Sequence, residues 1–311
     1  MAANVETMFY VREAPWHGLG TRVEAALDSR EALEKSGLNW KVIQKPIMTS
    51  SLEPISGFKA NIRDKDNKVL GVVSDRYKVV QNSEAFAFTD ALLSEGVKYE
   101  TAGSLQDGKK IWILAKLPDK YIMEGEEIEP YLVFCNSHDG TGSIKVAMTP
   151  IRVVCQNTLN IALSSAKRVW STAHVGDLAY KMDEAHNTLF LAEKYMKNLG
   201  TEFHRLSRIK LTDAKVIEYI NMLLPMDENP TSIHRNNITR IREDMKRRYF
   251  DAPDLKYVGK NGYRFINAVS DFATHAKPLR ETGSYQENMF ARTIEGNSLI
   301  DKAYEMVLAA A

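Results

Sequence analysis

The rhythm of apolar residues changes near the middle of the chain. Up to about residue 177 they come in short alternating or continuous runs broken by Gly, Pro, Asn and Asp, a pattern of strands and turns. Trp40–Met48 alternates well enough for a strand, ending near Pro46. Gly57–Ile62 and Val69–Val73, joined by Asp64-Lys65-Asp66-Asn67, predict a hairpin, because Asp and Asn tolerate turn geometry. Tyr77–Val80 follows as a short strand. Asn82 or Ser83 then caps a helix that turns Phe86, Ala87, Leu92 and Leu93 inward and stops at Gly96. A second set of strands begins at Val97–Thr101. The turn Gln106-Asp107-Gly108-Lys109 separates Ala102–Leu105 from Ile111–Leu117, and Asp-Gly between apolar runs is a hairpin signal. Tyr131–Asn136 and Ile144–Met148 form another pair across Ser137-His138-Asp139-Gly140-Thr141-Gly142-Ser143. Ile151–Cys155 continues as strand, and Asn157–Ala166 reads as helix.

Beyond residue 178 the apolar positions recur every three or four residues. Met182, Ala185, Leu189, Ala192, Met196 and Leu199 build one stripe, ending at Gly200. Thr212 caps a helix carrying Val216, Ile217, Ile220 and Leu224, ended by Pro225. Ile233, Ile238, Ile241, Met245 and Tyr249 define the next, and Tyr263–His275 and Ser298–Leu308 complete the set. The fold class is therefore α+β: a mostly antiparallel sheet with hairpins and a few helices, followed by a helical C-terminal half. The expected division is a sheet domain over 1–177 with a helical region over 178–311 packed on it. No internal repeat, linker or low-complexity tract interrupts it.

Length and composition add bounds. A chain of 311 residues suits one large or two modest domains. Its net charge of +1 supplies no global field toward DNA or membranes, so nucleic-acid binding must come from local patches. Cys135 and Cys155 sit in apolar runs and are too few for a disulfide framework, which predicts buried thiols in a reducing compartment. The N-terminus lacks a signal-peptide pattern, and no apolar run approaches the roughly 18 residues of a membrane span. The expected location is the cytoplasm, with no membrane partner.

The strongest compositional bias runs between Asp139 and Asp177, where 37 residues contain no Asp or Glu in a chain with 40 acids. Lys145, Arg152, Lys167, Arg168 and His174 remain there, with Gln156, Asn157, Asn160 and Trp170. A phosphate backbone selects cations and amides and excludes carboxylates. A buried strand and helix would lack acids equally well. Lys167-Arg168-Val169-Trp170 places two cations beside an aromatic ring, the chemistry by which single strands are held through stacking and phosphate contact. Arg76 and Lys78 form a smaller basic cluster. Arg235, Arg240, Arg242, Lys246, Arg247 and Arg248 surround only Glu243 and Asp244 on a predicted helix, which reads as a solvated face.

Enzyme signatures are mostly missing. There is no phosphate-binding Gly-x-x-x-x-Gly-Lys-Ser/Thr loop, no Gly-x-Gly-x-x-Gly and no Gly-x-Ser-x-Gly elbow. The histidines show no metal-ligand spacing. His138 and Asp139 are the weak candidates for acid–base or metal chemistry, against the plainer reading of a turn whose Asp bonds nearby amides. The same glycine-rich turn could present amides to a phosphate or simply connect two strands. Pro15-Trp16-His17-Gly18-Leu19-Gly20-Thr21 reads as an anchor for the N-terminal arm.

Trp16-His17-Gly18-Leu19-Gly20, Tyr77-Lys78-Val79-Val80-Gln81-Asn82, Ser137–Ser143 and Pro150–Asn157 together resemble a phage- and plasmid-related family labelled DUF932, a domain of unknown function. Asn267–Phe272 and His275 resemble its tail. That resemblance implies a mobile-element origin and no particular chemistry. The order of strands then helices also resembles, at the level of fold, the Redβ-like single-strand annealing proteins, which form rings or filaments around a basic groove.

The expectation is a single-stranded-DNA-binding protein of a phage or plasmid, acting in recombination or replication, possibly strand annealing, as a homo-oligomer without cofactor or metal. Lys145, Arg152, Lys167, Arg168, Arg76 and Lys78 would contact phosphates and Trp170 would stack a base. The alternatives are a metal-assisted nuclease or hydrolase using His138 and Asp139, and a non-enzymatic assembly or host-interaction protein.

Overall fold

The computed structural model describes residues 5–11, 20–93, 98–117, 121–152, 157–158, 169–276 and 297–309. In chain order the elements are β1 (Val5–Val11), β2 (Thr21–Val23), α1 (Ser29–Lys35), β3 (Val42–Met48), β4 (Pro54–Arg63), β5 (Val69–Ser74) and α2 (Asn82–Leu93). Then come β6 (Lys98–Leu105), β7 (Lys110–Lys116), β8 (Tyr121–Met123), β9 (Glu126–Ser137), β10 (Ile144–Arg152), β11 (Asn157–Thr158) and β12 (Val169–Thr172). Helices follow: α3 (Leu178–Arg208), α4 (Asp213–Leu223), α5 (Ser232–Phe250), a single 3-10 turn (Pro253–Leu255), α6 (Gly262–His275) and α7 (Ser298–Leu308). The fold is α+β, with most of the helix in the C-terminal half.

The chain divides into two compact units. Unit 1 takes Met1–Pro118, Tyr131–Met148 and Arg168–Leu191; unit 2 takes Asp119–Pro130, Thr149–Lys167 and Ala192–Ala311. This differs from a break at 177/178, because β9, β10 and the 31-residue α3 each supply residues to both units. Among the described residues no helix is long and apolar enough to cross a membrane.

Unit 1 holds a sheet in the order β12-β10-β9-β7-β6-β1-β2, antiparallel except for the parallel β1–β2 pair. One face carries Phe9, Ala102, Ile113, Phe134 and Val146, and Leu38, Phe86, Tyr99 and Ala185 complete the core. A smaller antiparallel sheet, β3-β4-β5, stands apart from that order. Its β4–β5 turn places Asn67 at φ 57°, the left-handed conformation Asn tolerates. Unit 2 buries Tyr195, Leu199, Phe203, Ile220, Met245, Tyr249, Phe265, Val269 and Val307 between its helices.

Four elements depart from the pattern-based reading. Asn157 and Thr158 are strand and pair with Arg152 and Ile151, so the predicted helix does not begin there; its remainder lies outside the described residues. Helix α3 passes through Gly200, since Phe203 and Leu206 continue the buried stripe and packing outweighs the helix-weakening effect of one glycine. Tyr77–Val80 joins no sheet, because side chains meet its carbonyls and the Ser74 and His174 carbonyls take its Tyr77 and Lys78 amides. Val97–Leu105 contains one strand, β6, with a register shift between Tyr99 and Thr101.

Candidate nucleic-acid interface

The turn after β9 is occupied by its own hydrogen bonds. Asp139 Oδ1 accepts from the Thr141 amide (2.8 Å), the Thr141 hydroxyl (2.7 Å) and the Ser137 hydroxyl (2.5 Å). Burial pushes this carboxyl up, but those three donors outweigh it and hold it below the usual carboxylate range. Gly140 takes φ +80°, where a side chain would be strained. Strand β5 comes so close at Gly71 that a Cβ there would sit 2.6 Å from the Asp139 backbone.

His138 is fully buried. Its Nε2 lies 3.0 Å from Asn82 Oδ1, while Asn82 Nδ2 donates to the Leu38 carbonyl at 2.9 Å. The amide oxygen must therefore accept, so His138 carries its proton on Nε2. Nδ1 has no partner, and the edge of Trp40 closes over the ring at 5.4 Å. Burial, with some repulsion from His174, pushes the imidazole down to about 3, so the ring is neutral. The His138 backbone is held as well, donating to the Lys109 carbonyl and accepting from Asn61 Nδ2, both at 2.7 Å. A buried imidazole and a carboxylate whose Oδ1 is held by three donors of its own loop are parts of a structural lock. Among the described residues no three His, Cys, Asp or Glu side chains are grouped to hold a metal ion.

The segment between β5 and α2 is strapped to this lock. The Tyr77 hydroxyl donates to the Ser137 carbonyl, and its ring stacks on His174 at 4.5 Å. His174 Nδ1 donates to the Lys78 carbonyl (2.9 Å), and the Lys78 amide donates to the His174 carbonyl (2.7 Å). Asn136 Nδ2 reaches the Val80 carbonyl, and the Gln81 amide makes a two-point pair with the Val42 backbone, both bonds at 2.9 Å. These side chains take the place of a neighbouring strand, leaving the Arg76 and Lys78 side chains exposed.

Locking one face of β3-β4-β5 frees the other. Alternation puts Val42, Asn61, Arg63, Gly71 and Val73 toward the lock. Ile43, Lys45, Phe58, Ala60, Ile62, Val69 and Val72 share the opposite face by register; Ile62 is buried there, and within the strands no carboxylate joins them, Asp64 beyond β4 being bonded to the Lys41 amide. Phe58 is 52% exposed and Val72 58%, in a position where an aromatic ring ordinarily seeks cover. Lys45 is exposed diagonally across from Phe58, within reach of a long side chain. Arg63 belongs to the covered face and bonds Glu6 (2.7 and 2.8 Å) and Asp66 (2.7 and 3.0 Å). Residues 41–78 carry eight Lys or Arg against four Asp or Glu, a local +4 in a chain whose total is +1.

A family model described as a domain of unknown function, DUF932, matches residues 69–294. The chain belongs to that family. No curated protein and no solved structure matches it. The DUF932 segment begins at β5 and includes the Tyr77–Asn82 strap, the Ser137–Ser143 turn and helices α2 to α6, whereas β3 and β4 precede it.

Within this DUF932 chain, the residues singled out by sequence fall in different places. Residues 144–149 of the acid-free run form a core strand: Ile144, Val146, Ala147, Met148 and Thr149 are buried, and burial accounts for the missing acids there. Lys145 is half-buried, opposite Ser171. It lies near enough to Cys135 to pull that thiol down, yet burial dominates and pushes Cys135 up to about 12, keeping it protonated. Arg152 pairs with Asn157 at the end of β10. Trp170, in β12, packs partly against the unit 1 core. Lys167, Arg168, Cys155 and the Pro15–Leu19 segment lie outside the described residues. Arg76 and Lys78 stand beside the β3-β4-β5 sheet, because the Asp75 amide donates to the Gly57 carbonyl. Phe58 and Lys45 were not singled out by sequence, since alternation alone does not tell which face of a sheet is covered.

Proposed function

We propose that the protein binds single-stranded nucleic acid, DNA in preference, through the open face of β3-β4-β5. It acts as an oligomeric, non-enzymatic factor in the recombination or replication of a phage or plasmid. One observation carries this reading: an exposed aromatic ring, Phe58, on a carboxylate-free sheet face with Lys45 beside it and Arg76 and Lys78 at its margin. A ring of this kind stacks a base of any identity, and flanking cations follow the backbone. Among the described residues no strand pairs with the outer edges of β3 and β5, and beyond the Gln81 pair at Val42 those edges suit assembly of copies side by side. The hydrolase alternative is not favoured, because His138 is sealed in the core and Asp139 Oδ1 is held by three donors of its own loop.

The test is a salt series with a labelled oligothymidine. Contacts from Lys45, Arg76 and Lys78 give an expected slope of log K on log salt near −2, at about −0.7 per phosphate on a single strand. No binding in low salt overturns the proposal and leaves the open face as an assembly surface.

A further inference from the structure

Helix α5 of unit 2 breaks two local rules in its first three turns and obeys them afterwards. Glu243 is its first acid, so residues 232–242 carry Arg235, Arg240 and Arg242 without a carboxylate. Arg235, at the end of the first turn, opposes the macrodipole, whose positive end calls for Asp or Glu; the carboxylate at this end comes from outside the helix, Asp227, 3.4 Å from His234 Nε2. Ile233, the second helical residue, is 73% exposed. The C-terminal half differs: Lys246 pairs with Glu243 at 2.7 Å, Arg247 and Arg248 pair with Asp244 at 3.5 and 3.3 Å, and Arg248 also reaches Asp271.

The arginines of the first half have separate duties. Arg242 donates to the Leu224 and Asn221 carbonyls at the end of α4, a C-terminal cap. Arg235 and Arg240 are exposed, with no carboxylate partner among the described residues. Ser232, Arg235, Asn236, Thr239 and Arg240 are all exposed and recur at helical spacing, so they share one face. That face runs about 12 Å along the helix axis at 1.5 Å per residue, and a helix with its side chains is about 10–12 Å across, which the roughly 12 Å wide major groove of B-form DNA admits. Arg and Asn are the side chains that pair two-pronged with guanine and adenine there, and an aliphatic side chain such as Ile233 meets the thymine methyl.

We propose that the first three turns of α5 enter the major groove of duplex DNA. Arg235 and Arg240 bond base edges or the bordering phosphates, with Asn236 and Thr239 between them. This is a second nucleic-acid surface, on a different unit from the open sheet face and independent of the single-strand reading.

The test uses the full chain and a short mixed-sequence duplex, with a single strand of the same length measured in parallel. The variant R235A/R240A is expected to bind the duplex about 30-fold more weakly or worse, from contacts each worth on the order of 1–3 kcal/mol. It should keep its thermal midpoint and its single-strand affinity. R247A, an exposed arginine on the same helix paired with Asp244, should stay within about twofold of wild type, as exposed pairs contribute little. Wild type should protect guanine N7, which faces the major groove, from methylation by dimethyl sulfate, and R235A/R240A should not. The inference is overturned by absent duplex binding in low salt, by equal loss from R247A, by parallel loss of single-strand affinity, or by unprotected guanine N7. None of these except the single-strand arm depends on the open sheet face.

Discussion

Replacing Arg264 by Ala is expected to destabilise unit 2 by on the order of 3–5 kcal/mol, among the largest effects of any single change in the chain. Arg264 is a buried cation that meets no carboxylate in the bonds it makes. Its guanidinium instead donates to the Tyr249 carbonyl (2.8 Å), the Leu255 and Val258 carbonyls (2.8 Å each) and the Phe250 carbonyl (3.3 Å), and lies 5.2 Å from the Tyr249 ring centroid. The last carbonyls of α5 lack intrahelical donors, and this side chain supplies them. Alanine removes that donor from the Tyr249, Phe250 and Val258 carbonyls, leaves Leu255 with only the Val258 amide, and opens a cavity beneath Tyr249. Lysine keeps the charge but lacks the planar fork, so Arg264→Lys should recover less than half of the loss. Thermal unfolding followed by far-UV circular dichroism reads this directly. At about 2–4 °C per kcal/mol, the midpoint of Arg264→Ala should fall by roughly 6–20 °C. A shift below 2 °C or so would contradict the capping role.

The second large effect is acid sensitivity through the imidazole lock. Burial lowers His138 from its ordinary value of 6.5 to about 3, and it lowers His174 in the same direction. The unfolded chain therefore takes up protons in this window that the folded chain refuses. The stabilisation is complete above pH 6.5 and is lost as pH falls toward 3. For His138 alone the loss is on the order of 5 kcal/mol across the window, at about 1.4 kcal/mol per pH unit. Asp66 and Asp139 are both held below the usual carboxylate range and contribute their own losses only at the acid end. Urea unfolding between pH 6.5 and 4.5 isolates the imidazoles. His138→Gln keeps a neutral donor for Asn82 and should remove about 1.4 kcal/mol per pH unit from the slope in this interval. An unchanged slope would show that His138 is not the refusing group.

Much of the fold was legible in the sequence because its elements bury one face. Helices α4 to α7 follow from apolar stripes, and α4 from its Thr212 cap as well; Thr231, Asn261 and Asn297 turn out to cap α5, α6 and α7 in the same way, each accepting a backbone amide. The β4–β5 and β6–β7 hairpins follow from their turn residues. Helix α1 was missed although Asp28 and Glu31 form a capping box ahead of buried Ala32. Strand β1 was missed because Met8 and Phe9 are buried on opposite faces of the sheet, which erases alternation. The site was legible only in pieces. Ser137–Ser143 read correctly as a turn, but what seals it comes from Asn82, Tyr77 and Asn61, dozens of residues away in sequence. The acid-free run suggested a groove, while over residues 144–149 it is a core strand. Conversely, Ile43, Phe58, Val69 and Val72, apolar residues of the predicted strands, lie open.

That open face carries the functional proposal, and Phe58 is the residue to test. Oligothymidine affinity, measured by fluorescence anisotropy at one low salt concentration, should be compared for wild type and Phe58→Ala. A half-exposed side chain contributes little to folding, so thermal midpoints should agree closely. Loss of one base–aromatic stack, worth about 1–3 kcal/mol, should weaken binding by roughly 5- to 150-fold. Equal affinity of the two proteins would contradict the assignment of the β3-β4-β5 face as the single-strand surface.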